Sequence, residues 1–143
     1  MALIDLAPET SSFLGSDKKL LIGKDWSDPS SDAGIDVINP ADGSSMARIA
    51  DAAEADVDRA VSAARTAFDE GPWGEMKPGE RARLMQQIAD AMEANFEQLA
   101  QLETLDNGKP INFARGDIFA AIGAMRYYAG WADKIQGTTH SIN

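Results

Sequence analysis

The chain has 143 residues, enough for one ordinary domain with its own core and too few for two well-filled ones. Its 13 Lys and Arg against 23 Asp and Glu give a net charge of -10, which repels a phosphate backbone and, with no basic run to offset it, excludes nucleic acid as a partner. The complete absence of cysteine excludes a thiol nucleophile, a thiolate metal site or a disulfide.

Hydrophobic residues at 44% and charged residues at 25% are globular values, so most of the chain is expected to be ordered. The first eight residues lack a basic region and contain Asp5, and no apolar run approaches the roughly 18–20 residues of a membrane span. These features give the expectation of an unexported cytoplasmic protein with no membrane partner.

Residues 1–19 are rich in Ser, Asp and Gly without a sustained period and read as a loosely ordered arm. Leu20 to Trp26 (LLIGKDW) then suits a strand with a tight turn, followed by pure turn chemistry from Ser27 to Gly34. A second strand pair is expected at Ile35 to Asn39 and Met46 to Ala50, joined by Pro40-Ala41-Asp42-Gly43, where Pro presets φ and Gly supplies a permissive one. The strands together make a small antiparallel ribbon, marginal alone and obliged to lie against something.

From about Glu54 to Asp69, Val57, Ala60, Val61, Ala64, Ala67 and Phe68 form the stripe of an amphipathic helix that Gly71-Pro72 ends. Alanines stand where a Ser or Asp cap would serve better, although Asp56 and Asp58 suit the helix dipole and point to different sides of the helix. The next helix opens at Pro78 with Glu80 behind it and carries Leu84, Ile88, Met92, Phe96, Leu99 and Leu102, with a break expected near Ala94-Asn95. Asp106-Asn107-Gly108-Lys109-Pro110 stops it, since Gly108 can turn left-handed and Pro110 blocks resumption. A further helix, about Phe113 to Ile135, puts Ile118, Ile122, Met125, Ala129 and Ala132 on one face. The count is three to four helices.

The segments LLIGKDW, VINPADG (37–43), ADVDRAVSAARTAFDEGPW (55–73), PGERARLMQQIADAME (78–93), LETLDNGKP (102–110) and RYYAGWADKIQGTT (126–139) follow one another in a familiar order. In that order they resemble the amino-terminal part of the aldehyde dehydrogenase superfamily. The resemblance implies an α+β piece, three to four helices plus a small antiparallel ribbon, of an α/β parent. Residues 20–136 would be the helical and ribbon part, and residues 137–143 the start of an incomplete oligomerisation hairpin.

It further implies an NAD(P)-dependent parent oxidoreductase that converts aldehydes to carboxylates through a cysteine thiolate. The thiolate suits the task because it attacks and leaves well, splitting one hard step into two. With no cysteine and no GxGxxG or GxxxxGK[ST] pattern, no catalytic or cofactor-binding residue is assigned here, and the chain is expected to bind neither NAD nor NADP alone. The alternative is a non-catalytic interaction protein that docks on a full-length or complementary subunit; a homo-oligomer is the other expected assembly.

By resemblance, Asp106 is one ligand of a monovalent cation, together with the carbonyls of Val37 and Ile38; by its own chemistry it is part of a helix-ending turn. Gly116, Asp117 and Ala120 would likewise line the aldehyde entrance, or else pack as ordinary helix with a solvated Asp117. Tyr127, Tyr128 and Trp131 read as core or interface filling, and His140 has no partner at a useful spacing.

Overall fold

A computed structural model describes residues 4–16 and 18–137. The elements in chain order are α1 (Pro8–Leu14), β1 (Leu20–Ile22), β2 (Asp25–Ser27), β3 (Gly34–Ile38), β4 (Ser45–Ala50), α2 (Glu54–Glu70), α3 (Pro78–Ala94), α4 (Phe96–Asn107) and α5 (Ile111–Ala129). The described residues thus hold five helices, α1 being the one without an advance signal, and none is long and apolar enough to cross a membrane. The incomplete hairpin expected over 137–143 lies, apart from Gly137, outside the described residues, as does His140.

The strands make two separate antiparallel hairpins rather than one ribbon. In the first, Leu20 pairs with Ser27 and Ile22 with Asp25 around Gly23, whose φ of 64° is the left-handed turn conformation. A side chain there would come within 3.9 Å of the Ala63 Cβ, so the hairpin tip lies against α2. In the second, Gly34 pairs with Ala50 and Val37 with Ala47, and the register shifts between Val37 and Ile38. Its turn is closed by Asn39 N donating to Ser44 O (2.8 Å) and Gly43 N donating to Asn39 O (2.8 Å).

The long helices α3, α4 and α5 pack on one another through small residues. Ala89, Ala100, Ala114, Ile122 and Ala129 are the buried hydrophobic residues among those described, so backbones approach closely where a larger side chain would hold them apart. Asn95, at φ −110° and ψ 23°, ends α3 and opens α4, with its side-chain amide donating to Ala91 O (2.8 Å). The break falls where the sequence places it. Arg115 clamps Glu97 in two-pronged fashion (3.0 and 2.7 Å), and Arg126 reaches Asp90 (3.0 Å) and Glu93 (2.6 Å), fixing α5 to both neighbours. Helix α5 stops at Ala129, short of the expected Ile135, because beyond Gly130 the chain tightens into i→i−3 turns: Trp131 N bonds Tyr128 O (3.0 Å) and Lys134 N bonds Trp131 O (2.9 Å).

Helix α2 follows a different rule. Its stripe forms as the period predicts, yet Phe68 is 77% and Val61 63% exposed, so the apolar face has no cover within the described residues. What fastens α2 is Asp56, which the sequence marks only as suited to the helix dipole and which is 1% exposed. Its carboxylate accepts from Ser30 N (3.0 Å), Ser30 Oγ (2.5 Å), Ala53 N (3.0 Å) and the Arg59 guanidinium (2.7 Å). The Ala53 bond substitutes for the missing cap side chain, by reaching back from the third helical position. The Ser30 hydroxyl, then its amide, then Arg59 hold the Asp56 carboxyl far below the usual carboxylate range.

The arm expected to be loosely ordered over 1–19 contains α1, whose Thr10 is fully buried. The partner holding it is Gln101, 94 residues away along the chain from Ala7, so no local pattern announces it.

Because the folded carboxyl of Asp56 sits below its unfolded value, its contribution is complete above about pH 4 and fades as pH falls through the lowered value. Asp56→Asn should therefore speed amide exchange across residues 54–70 by at least about tenfold at neutral pH, with α3, α4 and α5 still protected. Equal loosening of all helices would show that the contact is no local fastener.

Candidate functional site

The corner between α4 and α5 gathers the residues that the sequence singles out. Gly108 takes φ 78° and ψ 11°, and its amide donates to Thr104 O (2.9 Å), satisfying a carbonyl at the helix end. Asn107 Oδ1 accepts from Lys109 N (2.9 Å), and Pro110 starts α5 by accepting from Phe113 N (2.9 Å) and Ala114 N (3.1 Å). LETLDNGKP is thus a helix stop, a reversal and a restart.

This reversal is pressed against the second hairpin. A Cβ on Gly108 would stand 3.3 Å from the Pro40 ring, closer than ordinary contact, in addition to requiring a left-handed backbone. The contact brings Asp106 and Val37 to one open cleft of ≈ 440 Å³, with Glu103 also on its wall. Two of the three proposed cation ligands therefore share a cleft, while Ile38, 49% exposed, is not among the residues lining it. Among the described residues no group of three or more His, Cys, Asp or Glu could hold a metal ion, so Asp106 would depend on backbone oxygens.

On the α5 side, Gly116, Asp117 and Ala120 are all exposed and lie on one face of the helix. A Cβ built on Gly116 would meet nothing within 4 Å. Asp117 is exposed as expected but not merely solvated, since Lys109 Nζ bonds it and also reaches Glu103 Oε1 (3.0 Å). Lys109, counted in the sequence reading only as part of a turn, is a staple from the end of α4 to the start of α5. Asp117 first and Glu103 second raise the Lys109 pKa, while Lys109 first and Asn107 second lower that of Glu103. Lys109 and Asp117 are eight residues apart across a proline, a separation with no periodic signal. Further along α5, Tyr127 stacks edge-to-face on Tyr128 (centroids 5.2 Å) and lies 6.2 Å from Trp131, all three exposed rather than in a core.

The model of the aldehyde dehydrogenase family matches residues 26–143. The chain belongs to the aldehyde dehydrogenase family. Among proteins similar to it, DhaS of Bacillus subtilis strain 168 is 53% identical over 133 residues, covering 92% of this chain and 27% of that protein. An aldehyde dehydrogenase of Emericella nidulans is 50% identical over 107 residues, 75% of this chain and 21% of that one. The Bacillus cereus aldehyde dehydrogenase solved in complex with NAD+ superimposes with a TM-score of 0.88 at 43% identity, over 98% of this chain and 29% of that chain. The chain thus spans about a quarter of the length of the relatives it matches. Its helices and hairpins are a piece of the α/β aldehyde dehydrogenase fold.

Proposed function

We propose that this chain supplies the amino-terminal part of an NAD(P)-dependent aldehyde dehydrogenase, an oxidoreductase converting aldehydes to carboxylates, and that alone it oxidises no aldehyde. The observation that carries this reading is the family match over residues 26–143 in a sequence without a single cysteine. Oxidation through a thiohemiacetal needs a thiolate to attack the carbonyl and a hydride acceptor to collect the electrons. NAD or NADP, held by other parts of the parent, is the acceptor; this chain contributes the scaffold. Its compartment in this reading is the cytoplasm. With NAD+ and a simple aldehyde, the purified chain should produce no NADH, and turnover that survives repurification would overturn the non-catalytic half of the proposal.

A second reading has the chain dock on a full-length or complementary aldehyde dehydrogenase subunit, or on copies of itself as a homo-oligomer. Surface area favours it. A compact monomer of 15.3 kDa exposes about 7,100 Å², whereas this chain exposes 10439 Å². The excess, about 3,300 Å² on one chain, is well above the roughly 800 Å² that each partner gives to a standard recognition interface. Val57, Val61 and Phe68 on α2 and Phe113, Phe119 and Tyr127 on α5 are part of it. Co-purification with a full-length subunit is the expected outcome. A monomer that binds no hydrophobic dye would contradict it.

Within either assembly Gly116, Asp117 and Ala120 line the aldehyde entrance, and Asp106 with the carbonyls of Val37 and Ile38 holds a monovalent cation. Support for the cation comes from the cleft shared by Asp106 and Val37, since hard alkali ions accept carboxylate and carbonyl oxygens. Potassium should raise the melting midpoint above that in tetramethylammonium at equal ionic strength, and Asp106→Asn should abolish the difference. Identical midpoints in the two salts would dismiss the site.

A further inference from the structure

The amino-terminal segment is held in a way that a packed helix is not. Gln101 is 4% exposed, and its side-chain amide serves both directions: Oε1 accepts from Ala7 N (2.9 Å) and Nε2 donates to Asp5 O (3.2 Å). One turn earlier on α4, Gln98 Nε2 donates to Glu9 O (3.2 Å). All three bonds read backbone, not side chains, in the manner of a strand added to a sheet edge.

Beyond this clamp, α1 lays Phe13 across α4. Phe13, Leu99 and Leu102 line both the ≈ 440 Å³ cleft that ends at Asp106 and a second cleft of ≈ 430 Å³ running to Ile88 on α3. One side chain on the strap therefore stands at the boundary that the two clefts share. Segment 5–14 also lies outside residues 26–143, the part the family model matches.

We propose that residues 5–14 are a latched lid over a single apolar groove along α4, with Gln101 as its catch. Closed, the lid seats Phe13 on Leu99 and Leu102 and partitions the groove; open, it joins the Asp106 cleft to the Ile88 cleft. At the far end Lys18 Nζ gathers the Phe13 and Ser16 carbonyls, with its ammonium 4.5 Å from the Phe13 ring centroid, and the Lys18 carbonyl accepts from Ala50 N (3.1 Å). That end is the hinge, tied to β4 whether the lid is open or closed. The catch itself consists of neutral hydrogen bonds, each worth about fivefold in the closed-to-open ratio, beside the buried Thr10 that packs the strap.

The cysteine-free sequence makes the test direct, because Ser12 and Ala91, both exposed, can be replaced by cysteines and spin-labelled in the full chain. Pulsed dipolar spectroscopy of this pair should give one short, narrow distance. Adding Gln101→Leu removes both sides of the catch and should raise the open-to-closed ratio about thirtyfold. Adding Ala7→Pro removes only the Ala7 N–H, at a residue whose φ of −60° and ψ of 147° suit proline, and should raise it about fivefold. If Gln101→Leu loses its helical circular dichroism, Ala7→Pro alone decides. Distance distributions unchanged by Ala7→Pro, or a broad distribution in the chain with an intact catch, would overturn the lid.

Discussion

The reversal at Gly108 sets the position of nearly everything else of interest. A left-handed residue at that point ends α4, and within three residues the chain has started α5 back along it. Because the two helices return alongside one another, Lys109 can face both Glu103 behind it and Asp117 ahead. The second hairpin seats against the same corner, with the Pro40 ring 3.3 Å from where a Cβ at 108 would stand, and it carries Val37 toward Asp106. A larger residue at 108 would oppose both the backbone conformation and the hairpin contact, so the two constraints are coupled through one position.

Away from that corner the molecule is held by polar fasteners more than by a deep core. Among the described residues, four of the five buried hydrophobic ones are alanines, and the exposed aromatic and branched side chains outnumber them several-fold. Burying a large side chain is worth roughly 1.5–3 kcal/mol, while ordering one residue's backbone costs about 1–2 kcal/mol. Helix α2, with its apolar stripe outward, gathers little of the first term and is fixed instead by the Asp56 carboxylate. Charge-assisted contacts of this kind stabilise by about 1.5–3 kcal/mol and act only on the groups they join, without the area term that a buried apolar face supplies. Such a balance suits a piece whose apolar faces are completed by further protein, since their burial then supplies the missing hydrophobic term.

Periodicity and punctuation made much of this fold legible in the sequence, because each is a local property. The α2 and α3 stripes, the Asn95 break, the Gly108 stop and both hairpin turns rest on residues within a few positions of one another. Helix α1 was illegible because a glutamine 94 residues from Ala7 holds it, and the end of α5 was misjudged because tight i→i−3 turns continue the spacing after the α-helix stops. Asp56 illustrates a subtler limit. An acid in the first turn of a helix ordinarily faces water, and only the Ser30 loop arriving from outside the helix turns it into a buried acceptor. At the candidate site, the resemblance names Asp106, Val37 and Ile38 together, and the structure puts Asp106 and Val37 on the wall of one cleft without Ile38, whereas the Lys109 staple has no local signal in the sequence.

The placement of the two candidate regions on one scaffold has a mechanical consequence. Asp106 lies at the end of α4, and Gly116, Asp117 and Ala120 lie on the outer face of α5, joined by the Lys109 staple. Exposed ion pairs of this type are worth little as stability. Their geometry matters more, because Lys109 ties the turn carrying Asp106 to the first turns of α5 without passing through a packed core. The staple therefore sets where the Asp106 turn stands relative to the Asp117 face, while adding little to the stability of either.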